Sequence, residues 1–282
     1  MGIRLGANHY GKAETRVVRI VRDTDRHVVR DLNVSTSLSG DFAAAHVDGD
    51  QGHVLPTDTQ KNTVFAFAKT IGIDEIESFG LALAHHFVDD VAPVTAADVR
   101  IDEYPWERID DHDHGFRKAG SEVRTTRILV VDADGAAVVS GLRDLVVLKS
   151  TGSEFADFLV DEFTTLPPTH DRVLSTSLAV EWTYVPDSKP NWGPVHAAIR
   201  GTLLDRFANV HSLALQQSLW EMGRAVLESY PDVESIELIA PNIHHVAVDL
   251  SPFGLDNRGE VFHVTDRPYG LIEVVVERDG ED

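Results

Sequence analysis

Asp58–Val91 reads DTQKNTVFAFAKTIGIDEIESFGLALAHHFVDDV, and its apolar spacing decides the fold class. Val64, Phe67 and Ile71 recur at intervals of three and four residues, as do Ile76, Phe79, Leu83 and Phe87. That is the period of helices that bury one face. Gly72 separates the two runs, so the stretch predicts a pair of amphipathic helices. On the N-terminal side, Lys12–Asp23 carries Val17, Val18, Ile20 and Val21, Thr24 and Asp25 turn the chain, and His27–Leu38 carries Val28, Val29, Leu32 and Val34. These predict a β-hairpin. On the C-terminal side, strands are expected at Val99–Trp106 and Val123–Val131, followed by an Asp134-Gly135 turn into Ala136–Lys149.

The same order returns in the second half. Leu145–Leu148 and Leu174–Tyr184 read as strands, Pro194–Phe207 and Ser212–Tyr230 as helices, and Ile236–Leu250 and Leu271–Val276 as strands. Leu215, Leu219, Met222 and Val226 keep the helical period, whereas Ile236, Leu238 and Ala240 alternate. Both halves read ββααββ. The expectation is an α+β fold: a tandem repeat of about 140 residues, 1–140 and 141–282, with antiparallel sheets and helices on one face. A sheet face without helices would expose a second apolar row such as Val246, Val248 and Leu250, so symmetric assembly is expected.

Composition narrows the chemistry. The 282 residues include 25 Lys plus Arg against 46 Asp plus Glu, a net charge of −21, and no Cys. Disulfides, thiolate nucleophiles and Cys-bound metals are excluded. A scattered set of cations on so acidic a chain argues against nucleic acid, and the absence of a long apolar run argues against a membrane partner. A single buried Arg in a pocket can still attract a small anion.

The generic catalytic motifs are absent: no GxGxxG, P-loop, GxSxG or HExxH occurs. Asp110-Asp111-His112-Asp113-His114 resembles a metal site, but consecutive ligands do not converge, and a solvated loop is the competing reading. His85-His86 lies within a predicted helix as a core or interface pair, or as a functional one. Three other patches break the regular pattern. Leu55–Thr63 is a polar run entering a helix, where Thr57 or Asp58 could be an N-cap. Ala240–His245 interrupts a strand with Pro241 and Asn242, as a bulge or edge would. A long loop begins at Ser150-Thr151-Gly152-Ser153-Glu154-Phe155, passes Thr164-Thr165-Leu166 and ends at Asp171-Arg172, where Arg172 either pairs Asp171 or faces a site.

Taken together, these segments resemble the urate oxidase (uricase) family. The resemblance is carried by Tyr10-Gly11-Lys12, Thr57-Asp58-Thr59-Gln60-Lys61-Asn62-Thr63, Thr151-Gly152-Ser153-Glu154-Phe155, Asp171-Arg172-Val173-Leu174-Ser175-Thr176, Leu215-Gln216 and Pro241-Asn242-Ile243-His244. It runs from about Tyr10 to Leu271 and implies a tandem tunnelling fold, ββααββ repeated twice, assembling into a barrel-like tunnel. Leu215 departs from the β-branched residue usual there. The chain ends in Gly280-Glu281-Asp282, without a peroxisomal Ser-Lys-Leu, which points to a bacterial, cytoplasmic enzyme.

The resemblance implies oxidation of urate by molecular oxygen and water to 5-hydroxyisourate and hydrogen peroxide, without metal or other cofactor. By the family pattern, Lys12 is the base acting through the Thr57 hydroxyl, and His244 polarises the same network. Arg172 and Gln216 grip one edge of urate, Phe155 stacks on its face, and Leu166 lines the site. Backbone groups at Asp58 and Leu215 complete the hydrogen bonds, while Asn242 and Thr57 hold O2. The family pattern also implies a homotetramer with active sites at subunit interfaces. Two competing readings are another purine or pterin enzyme of the same fold, which typically uses an acidic anchor and often zinc where this chain offers Arg172 and Gln216, and a non-enzymatic binder, which would be expected to have lost Lys12 or Thr57.

Overall fold

The computed structural model describes residues 2–132, 135–186 and 188–279. The expected turn residue Asp134 and the end Gly280-Glu281-Asp282 lie outside the described residues. The chain divides into two compact units, Met1–Gly141 with Thr183–Gly193, and Leu142–Trp182 with Pro194–Asp282.

In the first unit, the hairpin β1 (Tyr10–Val21) and β2 (Val28–Gly40) is followed by a short helix, α1 (Ala43–Val47). Then come the two expected helices, α2 (Thr57–Thr70) and α3 (Ile76–Asp90). β3 (Val94–Glu103), a small hairpin of β4 (Trp106–Arg108) and β5 (Phe116–Lys118), and β6 (Val123–Val131) complete it before β7 (Gly135–Lys149). The strands pair antiparallel in the order β1-β2-β3-β6. Leu32, Val34 and Leu38 of β2, Val99 and Ile101 of β3, and Ile128 of β6 form one core with Phe79, Leu83 and Phe87 of α3. Each such side chain contributes about 1.5–3 kcal/mol by leaving water.

The second unit contains the end of β7, then β8 (Leu174–Tyr184), most of α4 (Trp192–Asn209), α5 (Leu215–Ser229) and β9 (Val233–Pro241). A ribbon of β10 (His244–Ala247) and β11 (Phe262–Thr265) precedes β12 (Leu271–Glu277). Its sheet order, β7-β8-β9-β12, repeats that of the first unit: two long helices lie between the second and third strands, preceded in the first unit by the short α1, and a small hairpin is inserted before the fourth. The fold is therefore the expected α+β tandem with antiparallel sheets. Among the described residues, no helix is long and apolar enough to cross a membrane.

Three local expectations are corrected. Ile236–Leu250 is not one strand: β9 stops at Pro241, which has no N–H for the ladder, and His244–Ala247 belongs to the separate ribbon. Val246 is exposed there, and the apolar residues exposed on the main strands include Val18 and Ile20 of β1 and Leu271 and Val275 of β12 instead. Likewise Val99–Trp106 breaks before Pro105, leaving Trp106 to open β4. In α2 the buried stripe is Gln60, Val64 and Ala68, whereas Ile71 follows the helix and is 53% exposed. Gln60 can be fully buried because its Oε1 accepts a hydrogen bond from the Thr36 hydroxyl at 2.7 Å.

A second buried polar cluster tests the packing of α3. Glu77, fully buried in the first turn, accepts from Arg124 at 2.7 Å and from Ser140 Oγ at 2.6 Å. Arg124 also reaches Glu75 at 2.9 Å and Glu103 at 3.8 Å. Glu77→Ala is expected to cost about 3 kcal/mol, measured by denaturant unfolding, because Arg124 and Ser140 stay buried without this acceptor. Burial pushes the Glu77 carboxyl above its ordinary range, against the opposing pull of Arg124 and Ser140. The folded state thus holds this proton more tightly than the unfolded chain. The group's contribution is complete below the ordinary glutamate range and declines as pH rises through the raised value. Glu77→Gln is expected to flatten that part of the stability profile.

Candidate active site

Two groups of the sequence-predicted residues are assembled, one in each unit. In the first unit, Gly11 and Lys12 lie where β1 approaches β2 closely: a Cβ at Gly11 would meet the Thr36 carbonyl oxygen at 1.8 Å. Only glycine fits there. Immediately after Lys12 the register of β1 against β2 shifts, with Glu14 at φ 56°. Such a bulge re-aims the side chains beside it.

Thr57 and Asp58 are the first two residues of α2, not its cap; Pro56 holds the cap position, and no side chain caps the helix. The polar run keeps the first-turn N–H groups open to a ligand rather than closing them. Asp58 is instead engaged by Lys61, and Asn62 donates to it at 3.0 Å. Its carboxyl is lowered by the hydrogen bond and charge of Lys61, with smaller contributions from Asn62 and from the charge of Lys12. The Lys12 ammonium therefore stands near the start of α2. Behind Thr57, the Leu55 carbonyl accepts from the Tyr10 hydroxyl at 3.1 Å and from Gln60 Nε2 at 3.5 Å. Thr36 Oγ1 in turn accepts from the Lys12 N–H at 3.4 Å. One network thus connects the backbone of Lys12 to the segment that carries Thr57.

In the second unit, the Arg172 N–H donates to the Ser153 carbonyl at 2.8 Å, and Phe155 pairs with Thr169 in both directions at 2.8 and 2.9 Å. The Arg172 guanidinium carbon lies 5.2 Å from the centre of the Phe155 ring, and Phe158 stacks on Phe155 at 4.9 Å and 19°. Phe158 was not legible in the sequence, since a loop has no periodicity to mark it. Arg172 does not pair with Asp171, which accepts from the Thr151 hydroxyl and the Gly152 N–H. Its Nε is buried without a hydrogen-bond partner, and burial lowers the pKa of the guanidinium. An unmatched, desolvated planar cation has the geometry and charge to receive a flat anion.

Leu215 and Gln216 begin α5 as Thr57 and Asp58 begin α2. Ala214 holds the cap position and no side chain caps the helix, so backbone N–H groups are again open. Leu215 is buried, whereas Gln216 is exposed with its amide free to meet a ligand. Asn242 bridges to Thr176, and its N–H donates to the Gly270 carbonyl at 2.8 Å. The Asn242 amide faces His244 Nδ1 at 3.4 Å. The break after Pro241 therefore holds Asn242 and His244 together beside the strand that follows Arg172. Leu166 is 59% exposed on the loop between Phe155 and Thr169.

The other candidates have structural partners. Asp110–His114 forms the tip between β4 and β5, where Arg26 pairs Asp111 at 2.6 Å and Asp113 at 3.5 Å. Among the described residues, no group of three or more His, Asp or Glu is placed to hold a metal ion. His86, half-buried against Phe67, pairs Asp90 at 2.7 Å, and the exposed His85 pairs Asp89 at 3.4 Å. A 640 Å³ concavity of the first unit is lined by Gly11, Ser37, Asp98, Arg100 and Arg127, without Thr57 or Asp58. Asp98 already pairs Arg127 at 2.7 Å there, so it lacks the unmatched charge found at Arg172.

A family model described as Uricase matches residues 8–129 and 138–273. A uricase of Arthrobacter globiformis is 50% identical over 276 residues, covering 98% of this chain and 90% of that protein. A uricase of Danio rerio is 35% identical over 272 residues, covering 93% and 91%. The crystal structure of the Arthrobacter globiformis uricase superposes with a TM-score of 0.96 at 48% identity, covering 100% of this chain and 97% of that one. A uricase from Bacillus fastidious shares the fold at a TM-score of 0.83 and 23% identity, covering 96% and 93%.

Proposed function

The chain belongs to the uricase family, and from that premise we propose how its own residues carry the oxidation of urate: urate + O2 + H2O → 5-hydroxyisourate + H2O2. The observation that carries this reading is the half-buried Arg172 guanidinium, with an unmatched Nε, beside the Phe155 ring. Urate is a flat anion whose edge offers parallel donors and acceptors. Arg172 and the Gln216 amide grip that edge, Phe155 stacks on the ring, and the open N–H groups at Asp58 and Leu215 complete the contacts. Leu166 adds an apolar contact.

Triplet O2 reacts slowly with closed-shell molecules, so urate must first become more electron-rich. Lys12 removes a further proton through the Thr57 hydroxyl, and His244 polarises the same network. Asn242 and Thr57 hold O2, and then the attacking water, above the ring. The reaction needs no metal or organic cofactor in this scheme. In chelator-treated protein, loss of urate absorbance should be matched by one peroxide per urate; a metal required for turnover would overturn it.

The residues of this reaction fall in two units, so we place each complete site between two copies. Lys12, Thr57 and Asp58 of one copy face Phe155, Arg172, Gln216, Asn242 and His244 of another, in a homotetramer whose sheets form a barrel-like tunnel. The end strands β1 and β12 support this, since each has one unpaired edge among the described residues and carries exposed apolar side chains. Residues 1–140 and 141–282 are the repeat units of that assembly, and the enzyme is placed in the cytoplasm, with neither nucleic acid nor membrane as partner.

A further inference from the structure

The three segments that carry Phe155, Arg172 and Leu215-Gln216 meet at one side chain to which the scheme above gives no role. Glu154 donates its N–H to the Ser212 carbonyl at 2.7 Å, and Ser212 donates its own to Gly152 at 3.0 Å. Its carboxylate accepts from His211 Nε2 at 2.5 Å through Oε1 and from His170 Nδ1 at 3.1 Å through Oε2. His170 stands two residues before Arg172, and His211 four before Leu215. In the third segment, next to His211, the Val210 carbonyl accepts from Lys149 Nζ at 2.6 Å. Asp171, the carboxylate adjacent to Arg172 in sequence, is occupied by Thr151 and Gly152. The two hydrogen bonds, His211 first, hold the Glu154 carboxyl below its ordinary range, so it remains an acceptor for both rings.

We propose that Glu154 is a positioning residue for urate: by accepting from His170 and His211 at once, it fixes the spacing between the Arg172 guanidinium and the start of α5. The need is geometric. Urate is rigid and meets Arg172 and Gln216 along one edge, yet Arg172 ends a loop without regular structure that runs from Ser150 to Val173. A misplacement of about 1 Å in such a grip weakens it severely. Glu154 touches neither urate nor O2 in this account and acts only through the segments it joins.

The inference rests on the assignment of Arg172 and Gln216 to urate, and the experiment separates the two. KM and kcat for urate are measured for Glu154→Ala, Glu154→Gln and Arg172→Ala, with thermal unfolding as the folding control. Glu154→Ala is expected to raise KM about tenfold with kcat within about twofold, because uniform binding is lost and the proton relay is not. Glu154→Gln keeps one acceptor and is expected to recover part of that loss. Unchanged KM in Glu154→Ala alongside a raised KM in Arg172→Ala overturns the positioning role and leaves the binding assignment standing. Unchanged KM in Arg172→Ala overturns both. If Glu154→Ala does not fold, the double variant His170→Ala/His211→Ala reads the same clasp, and wild-type KM in it refutes the proposal.

Discussion

Lys12→Met or Thr57→Val is expected to lower kcat by about 10²-fold or more while urate affinity stays within a few fold, because a proton relay acts mainly in the transition state. Both changes keep the approximate volume of the side chain and remove only its proton-handling group. Neither disturbs the supports seen in the structure, since Lys12 engages Thr36 through its backbone N–H and Leu55 is held by Tyr10 and Gln60. Arg172→Ala is expected to behave oppositely, raising KM by about 10²-fold, since it removes the unmatched cation that the urate anion neutralises. Arg172→Lys should restore little, because an ammonium has no planar fork and cannot meet two edge acceptors at once. Steady-state kinetics with binding of an unreactive purine analogue checks the division. Equal losses of analogue affinity in Lys12→Met and Arg172→Ala would refute it.

Mixing Lys12→Met with Arg172→Ala protein, each nearly inactive alone, is expected to restore activity after co-refolding. If each site joins the Lys12 side of one copy to the Arg172 side of another, random assembly leaves about a quarter of the sites with both sides intact. If each site lies within one chain, no mixture contains an intact site. The contrast is therefore between about a quarter of wild-type turnover and none beyond the separate variants, and co-elution of differently tagged chains verifies that mixing occurred.

The order of elements was legible because helical and strand periods are local. The spacing of Phe79, Leu83 and Phe87 needed no knowledge of their partners, and the same ββααββ order appeared twice. The short motifs were legible as a resemblance, because segments such as Tyr10-Gly11-Lys12 and Asp171-Arg172 keep their wording whatever surrounds them. The failures have both distant and local causes. Gln60 is buried where an apolar residue was expected because Thr36, 24 residues away, satisfies its amide, and Ile71 is exposed because the helix ends before it. Thr57 is the first residue of its helix because Pro56 fills the cap position without a donor or acceptor side chain. Ile236–Leu250 breaks because Pro241 and Asn242 are held by Thr176 and Gly270 of other segments.

By itself, then, the amino-acid order determined the α+β tandem, the family and the residue types available to bind and oxidise a flat anion, because periodicity and side-chain chemistry are properties of short stretches. Only the tertiary structure decided which polar groups are buried and whether they are matched. Asp171 turned to Thr151 and left Arg172 alone, and Glu154 came to lie between His170 and His211, the latter 57 residues away. Hydrogen-bond partners are chosen when distant segments close on one another, and the cost of an unmatched buried charge exists only after water has been excluded from around it.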